Sequence, residues 1–99
     1  MIIVAGTLRF PADKMEALLP HARAVIAATR KENGCLVYSF AEDMVEPGLV
    51  RIFEIWESRA LLDAHGKQAH MQPWRDAVEA AGGHSRDLKV YPSGEGEVL

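Results

Sequence analysis

Apolar and polar residues recur with two different periods along this chain, and the change of period divides it into elements. Residues 2–10 (Ile, Ile, Val, Ala, Gly, Thr, Leu, Arg, Phe) are rich in β-branched and large apolar types and stop at Pro11, which predicts a strand closed by a turn. From Asp13 the spacing becomes three-four. Met15, Leu18, Leu19, Ala22, Val25, Ile26 and Thr29 share one helical face while Lys14, Glu16, Arg23, Arg30 and Lys31 lie off it, predicting an amphipathic helix to about Glu32. Pro20 removes one backbone donor inside that helix, so a kink or break is expected near residues 16–20. Asn33-Gly34 ends it, glycine being suited to the left-handed position just past a helix.

Cys35 to Glu42 reads as a second strand and Leu49 to Glu57 as a third, with Pro47-Gly48 turning the chain between them. Ser58 is placed to cap a short helix over Arg59–His65, and a further helical stretch is expected from about Lys67 to Ala81, kinked or interrupted at Pro73 and stopped by Gly82-Gly83. Arg86 to Pro92 alternates as a fourth strand, leaving Ser93–Leu99 as a tail. Strand, helix, strand, strand, helix, strand is the split βαβ arrangement: an α+β, ferredoxin-like domain over residues 1–92, with a four-stranded antiparallel sheet and its helices on one face.

The strands carry a second pattern. On the first, Ile2, Val4, Leu8 and Phe10 point one way and Ile3 and Ala5 the other; on the third, Phe53 and Ile55 oppose Val50, Ile52 and Trp56. Both sheet faces are apolar, yet there are helices for only one. An exposed apolar face of more than roughly a few hundred Å² is unusual on a soluble monomer, so a homodimer packed sheet to sheet is expected.

Composition agrees with a thin core. At 99 residues the chain makes one domain, which buries only roughly two-thirds of its unfolded surface, so subunit association would add burial. The single Cys35 excludes an intrachain disulfide and any cysteine-rich metal cluster. Eleven Lys plus Arg against fourteen Asp plus Glu, without blocks, leave no footprint for nucleic acid or an anionic membrane surface. No apolar run approaches the ~20 residues that span a bilayer and no basic leader-like stretch opens the chain, so a cytoplasmic location is expected.

The run Glu32, Asn33, Gly34, Cys35, Leu36, Val37, Tyr38, then Pro47, then Phe53-Glu54-Ile55-Trp56-Glu57-Ser58, followed by Ala60, Leu61, His65 and His70-Met71, resembles the antibiotic biosynthesis monooxygenase (ABM) domain. The resemblance extends over residues 2–92. It implies a dimeric α+β barrel of two ferredoxin-like subunits, in agreement with the face patterning, and small oxygenases that act on quinols or other polyphenolic rings without metal or flavin. Triplet O2 does not combine directly with a closed-shell molecule. A deprotonated, electron-rich ring can hand it one electron, so such a protein must favour the phenolate and hold it in a dry cavity with a few polar groups.

Three residues are candidates for that chemistry. His65 is the candidate base, an imidazole ordinarily titrating at about 6.5; Trp56 would orient the ring; Tyr38 would hydrogen-bond an oxygen. Glu54, Phe53, His70, Met71 and Trp74 are the candidate substrate contacts. The structural alternative for Trp56 and Tyr38 is core packing, for His65 a helix-end position favoured by the dipole, and for Glu54 a solvent-facing or ion-paired carboxylate that becomes a base only if buried. His21 and His84 are given no role. No metal is expected: on one continuous helix His65 and His70, five apart, would diverge by ~140°. Haem-degrading relatives of the fold use an asparagine on the first strand, where this chain offers Thr7. Other outcomes for the same scaffold are an isomerase of a small sugar-like metabolite or a small-molecule-binding dimer without turnover.

Overall fold

The computed structural model describes residues 1–99. Its elements are β1 (Ile2–Arg9), a 3-10 turn (Ala12–Lys14), α1 (Met15–Thr29), β2 (Cys35–Glu42), β3 (Leu49–Trp56), α2 (Arg59–His65), α3 (Met71–Ala80) and β4 (Ser85–Pro92). The four strands form one antiparallel sheet in the order β2-β3-β1-β4. That order puts β1 and β3 at the centre and makes this the ferredoxin-like fold the alternation predicted. No helix is long and apolar enough to cross a membrane.

Both prolines act differently from expectation. α1 runs unbroken through Pro20, and a 3-10 turn precedes it where the sequence predicted continuous helix from Asp13. Pro20 and Glu16 are exposed, so the carbonyl that loses its partner lies on the wet side of the helix, where water substitutes. The expected helix from Lys67 begins only at Met71, because Gly66–His70 forms successive turns. Pro73 thereby becomes the third residue of α3, where its missing N–H has no intrahelical partner to lose, and no kink results. The Ser58 cap holds as expected: its Oγ accepts from the Leu61 N–H at 3.3 Å.

The pleat sorts side chains as the alternation predicted. Val4, Leu8, Val50, Ile52, Glu54, Trp56 and Tyr38 are buried on the helix side. The core lies between that face and the helices, with Leu18 and Val25 of α1 and Trp74 and Val78 of α3 in one cluster, and Val4, Tyr38 and Trp56 in a smaller second one. Burying an aliphatic side chain such as Leu18 or Val25 stabilises by about 1.5–3 kcal/mol. The opposite face carries Ile3, Val37, Ile55, Phe53 and Tyr91 with nothing packed over them, Phe53 being 43% and Tyr91 47% exposed. The 93–99 tail has no regular structure, though the Ser93 N–H donates to the Met1 carbonyl.

Candidate active site

The second cluster lies under one end of a cavity of about 560 Å³ between the sheet and α2 and α3. β3 contributes Glu54, β2 contributes Tyr38, α2 ends on His65, and Met71 and Trp74 come from α3; all five line the cavity. Register brings the first two together, since Tyr38 and Glu54 are paired across β2 and β3 on the face that also carries Val4. Around them the rings are close packed: His65 stands 5.2 Å from Tyr38 and 5.0 Å from Trp56, centroid to centroid.

His65 is buried, and its position rests on a residue the sequence analysis left without a role. Glu32, three residues past Thr29, the last position of the predicted helix face, turns inward and its side chain is buried. Its Oε2 accepts from His65 Nδ1 at 2.7 Å and from His70 Nε2 at 2.8 Å. Wholly buried Thr29 places its hydroxyl 3.3 Å from the same His70 nitrogen. An ionised carboxylate only accepts, so this arrangement assigns the His65 hydrogen to Nδ1. His65 Nε2 makes no hydrogen bond within the protein, yet no buried side-chain nitrogen or oxygen lacks a partner. Nε2 is therefore open to the cavity that His65 lines, as an acceptor.

The expected divergence of His65 and His70 is overturned, because α2 stops at His65 and the Gly66–His70 turns bring the second imidazole back to the same carboxylate. Two imidazoles and a carboxylate have the donor chemistry of a divalent-metal site. Their spacing is that of hydrogen bonds: ligand atoms ~2.0–2.1 Å from a tetrahedral zinc would stand about 3.3 Å apart.

Glu54 is held on one side only. Trp56 Nε1 donates to its Oε1 at 2.9 Å, and Oε2, with no partner in the protein, faces the cavity. Burial pushes its pKa up, opposed by the Trp56 hydrogen bond and the nearby His65. Burial also pushes the Tyr38 hydroxyl up, as does the charge of Glu54, so Tyr38 remains a phenol and can donate. The Cys35 thiol is likewise raised by burial and by Glu32 and Glu54, against Arg30, which disfavours the thiolate.

Three sequence-predicted site residues do not reach the cavity. Phe53 is on the opposite sheet face, paired with Ala5, because side chains alternate along β3. Trp56 is wholly buried behind Glu54 and touches it through the indole N–H, so it positions the carboxylate without lining the cavity. His70 sits behind Glu32, partly exposed at the other end of the hydrogen-bonded chain. Glu32 itself carried one signal in the sequence, its place in the run ahead of Asn33-Gly34, but nothing local connects it to a histidine thirty-three residues later.

Comparison with known proteins adds three findings. The family model described as antibiotic biosynthesis monooxygenase matches residues 1–77. An uncharacterized protein of Synechocystis sp. is 31% identical over 98 residues, which are 99% of this chain and 67% of that protein. A crystal structure from Deinococcus radiodurans, provisionally described as an antibiotic biosynthesis monooxygenase, is 28% identical with a TM-score of 0.87 over 100% of this chain and 98% of that one. A similarly described protein from Nitrosomonas europaea shares the fold at 23% identity, with a TM-score of 0.80 over 94% and 98% of the two chains.

Proposed function

The chain belongs to the antibiotic biosynthesis monooxygenase family, and from that premise we propose that it is a monooxygenase that oxidises a quinol-like or polycyclic phenolic substrate with O2 and needs no resident metal or flavin. One observation carries the reading: a buried imidazole whose Nδ1 hydrogen is held by Glu32 and whose Nε2 opens onto an aromatic-walled cavity. In this reading the substrate hydroxyl gives its proton to His65 Nε2, and Glu32 stabilises the imidazolium that forms, since its carboxylate already faces Nδ1–H. Tyr38 donates to an oxygen of the ring, and Phe40, Met71 and Trp74 exclude water from it. The deprotonated ring then supplies an electron to O2, the radical pair recombines, and with the proton held on His65 the product is a ring hydroperoxide; loss of water from it breaks the O–O bond and leaves one oxygen atom on the ring carbon as a carbonyl. Trp56 acts through Glu54, as a positioning residue.

A second copy of the chain belongs to the same reading. The helix-free sheet face presents its apolar side chains in adjacent rows, which a two-fold partner would cover.

Oxygen uptake with a panel of reduced naphthoquinols tests the reaction. Consumption above the uncatalysed rate is expected for at least one quinol, and His65→Ala is expected to lower it by more than ~100-fold, the usual worth of a general base. No stimulated uptake by folded protein across the panel would refute the reading, and full activity of His65→Ala would refute the base.

A further inference from the structure

Glu32 is a buried carboxylate whose only ion-pair partners are two imidazoles. No Lys or Arg pairs with it: Arg9, Arg51 and Arg59 are taken by Glu46, Asp43 and Asp63, and Arg30, two residues away, donates its Nε to the Tyr38 carbonyl. A carboxylate taken out of water needs a counter-charge, and a neutral imidazole supplies only a hydrogen bond.

The atoms that meet at this carboxylate are ligand atoms. One from each of Glu32, His65 and His70 lies within 4.8 Å of the other two. Glu32 Oε2 stands 2.7 Å from His65 Nδ1 and 2.8 Å from His70 Nε2, and around a tetrahedral zinc each separation would be about 3.3 Å. The carboxylate therefore has to withdraw by about half an ångström from each ring to admit an ion. Thr29 Oγ1 is already 3.3 Å from His70 Nε2, the distance of a fourth ligand from the third. The ion has a way in, because the His70 side chain is 26% exposed in the turns between α2 and α3. Two imidazole nitrogens and one carboxylate favour a divalent transition ion over Mg2+ or Ca2+, which take oxygen ligands.

We propose that Glu32, His65 and His70 bind a divalent transition-metal ion such as Zn2+ in place of their two hydrogen bonds, and that the bound ion reverses the polarity of His65 toward the cavity. A neutral imidazole carries one hydrogen. With the ion on Nδ1 that hydrogen moves to Nε2, so the nitrogen that faces the cavity as an acceptor becomes a donor. The His70 hydrogen moves likewise from Nε2 to Nδ1, and neither ring gains or loses a proton. The ion takes no part in the oxidation. It is a reversible inhibitor, a consequence that rests on the His65 base proposed above, whereas the metal site stands on the cluster alone.

Calorimetric titration of the intact, chelator-treated protein with Zn2+ and with Mg2+ tests the site without turnover. One Zn2+ per chain and no Mg2+ are expected. H70Q keeps an amide N–H for Glu32 and removes a ligand, so it should weaken zinc binding by ~100-fold or more, beyond what loss of a supporting residue costs; H21Q, at an exposed histidine of α1, should leave it unchanged. Zn2+ should raise the Tm of the parent and not that of H70Q. Co2+ should give the parent the visible absorption of a tetrahedral site. Nitrogen NMR of the labelled imidazoles should show His65 Nε2 unprotonated without zinc and protonated with it. Absence of one-to-one zinc binding, or binding that H70Q leaves unchanged, would overturn the site. Bound zinc with His65 Nε2 still unprotonated would overturn the reversal. Zinc binding by a protein that consumes no oxygen with any quinol supports the site and refutes only the reaction, while undiminished oxygen uptake by zinc-loaded protein would overturn the inhibition.

Discussion

Glu54 shows how one residue can stand against stability and for a site. Its burial raises the carboxyl pKa above the ordinary value of about 4.3, and the Trp56 hydrogen bond and His65 offset only part of that. At a pH below both values the group is protonated in folded and unfolded chains alike and contributes nothing. As pH rises, the unfolded chain ionises first, so stability falls through the window between the ordinary and the raised pKa, and the full cost is present above the raised value. Glu54→Gln keeps an oxygen for the indole N–H and removes the charge. It is expected to raise Tm by a few degrees at pH 7.5 and by much less near pH 4; an equal gain in thermal melts at both pH values would contradict the account. This residue was legible in the sequence as far as its face: alternation alone put Glu54 and Trp56 on one side of β3. Whether that side was wet or dry depended on α2 and α3 closing over it. The Glu32 contacts were less legible still, because they join the ends of α1 and α2 and the start of α3 at one oxygen.

Between elements, the connections decide the site more than the elements do. Strand identities followed from residue type and period, with ends displaced by a residue at most for β1, β3 and β4. The helices departed at their ends and prolines, because a proline's effect depends on its distance from the helix start, and that start is set by turns with no periodic signal. Gly34 is the connection that matters most here. It sits at φ +80° between Glu32 and β2, its carbonyl accepts from the Glu57 N–H at 2.9 Å, and a Cβ at this position would collide with the Leu61 side chain of α2. Gly34→Ala therefore meets a left-handed penalty of about 1–2 kcal/mol and forces the Leu61 side chain, on the helix that ends on His65, to move. The expected loss is about 2 kcal/mol or more, roughly 8 °C or more of Tm for a domain this size, measurable by calorimetry. A melting temperature within a degree or two of the parent would contradict both the backbone penalty and the Leu61 conflict.

For the whole molecule, the thinness of the core and the bare sheet face are one fact. Only 17 of 99 residues are buried in the single chain, while Tyr91, Ile3, Ile55 and Val37 form one row across the open face and Ala5 and Phe53 lie in the next. A row of apolar side chains four strands wide is spaced for a second sheet, and two-fold symmetry would bury each contact twice. In the proposed dimer Phe53, excluded from the cavity by its face, belongs to the contact. Phe53→Glu would introduce a charge at both copies of the contact and remove about 2 kcal/mol of burial from each, raising the dimer dissociation constant by roughly 10³-fold. Sedimentation velocity at micromolar concentration should show a dimer for the parent and a monomer for Phe53→Glu, with Phe53→Leu remaining dimeric; a parent that sediments as a monomer would refute the sheet-to-sheet assembly. Because the cavity lies on the other side of the sheet from Phe53, the monomeric variant is expected to keep the Glu32–His65 hydrogen bond and to lose stability first, so that any fall in oxygen uptake should track the fraction unfolded.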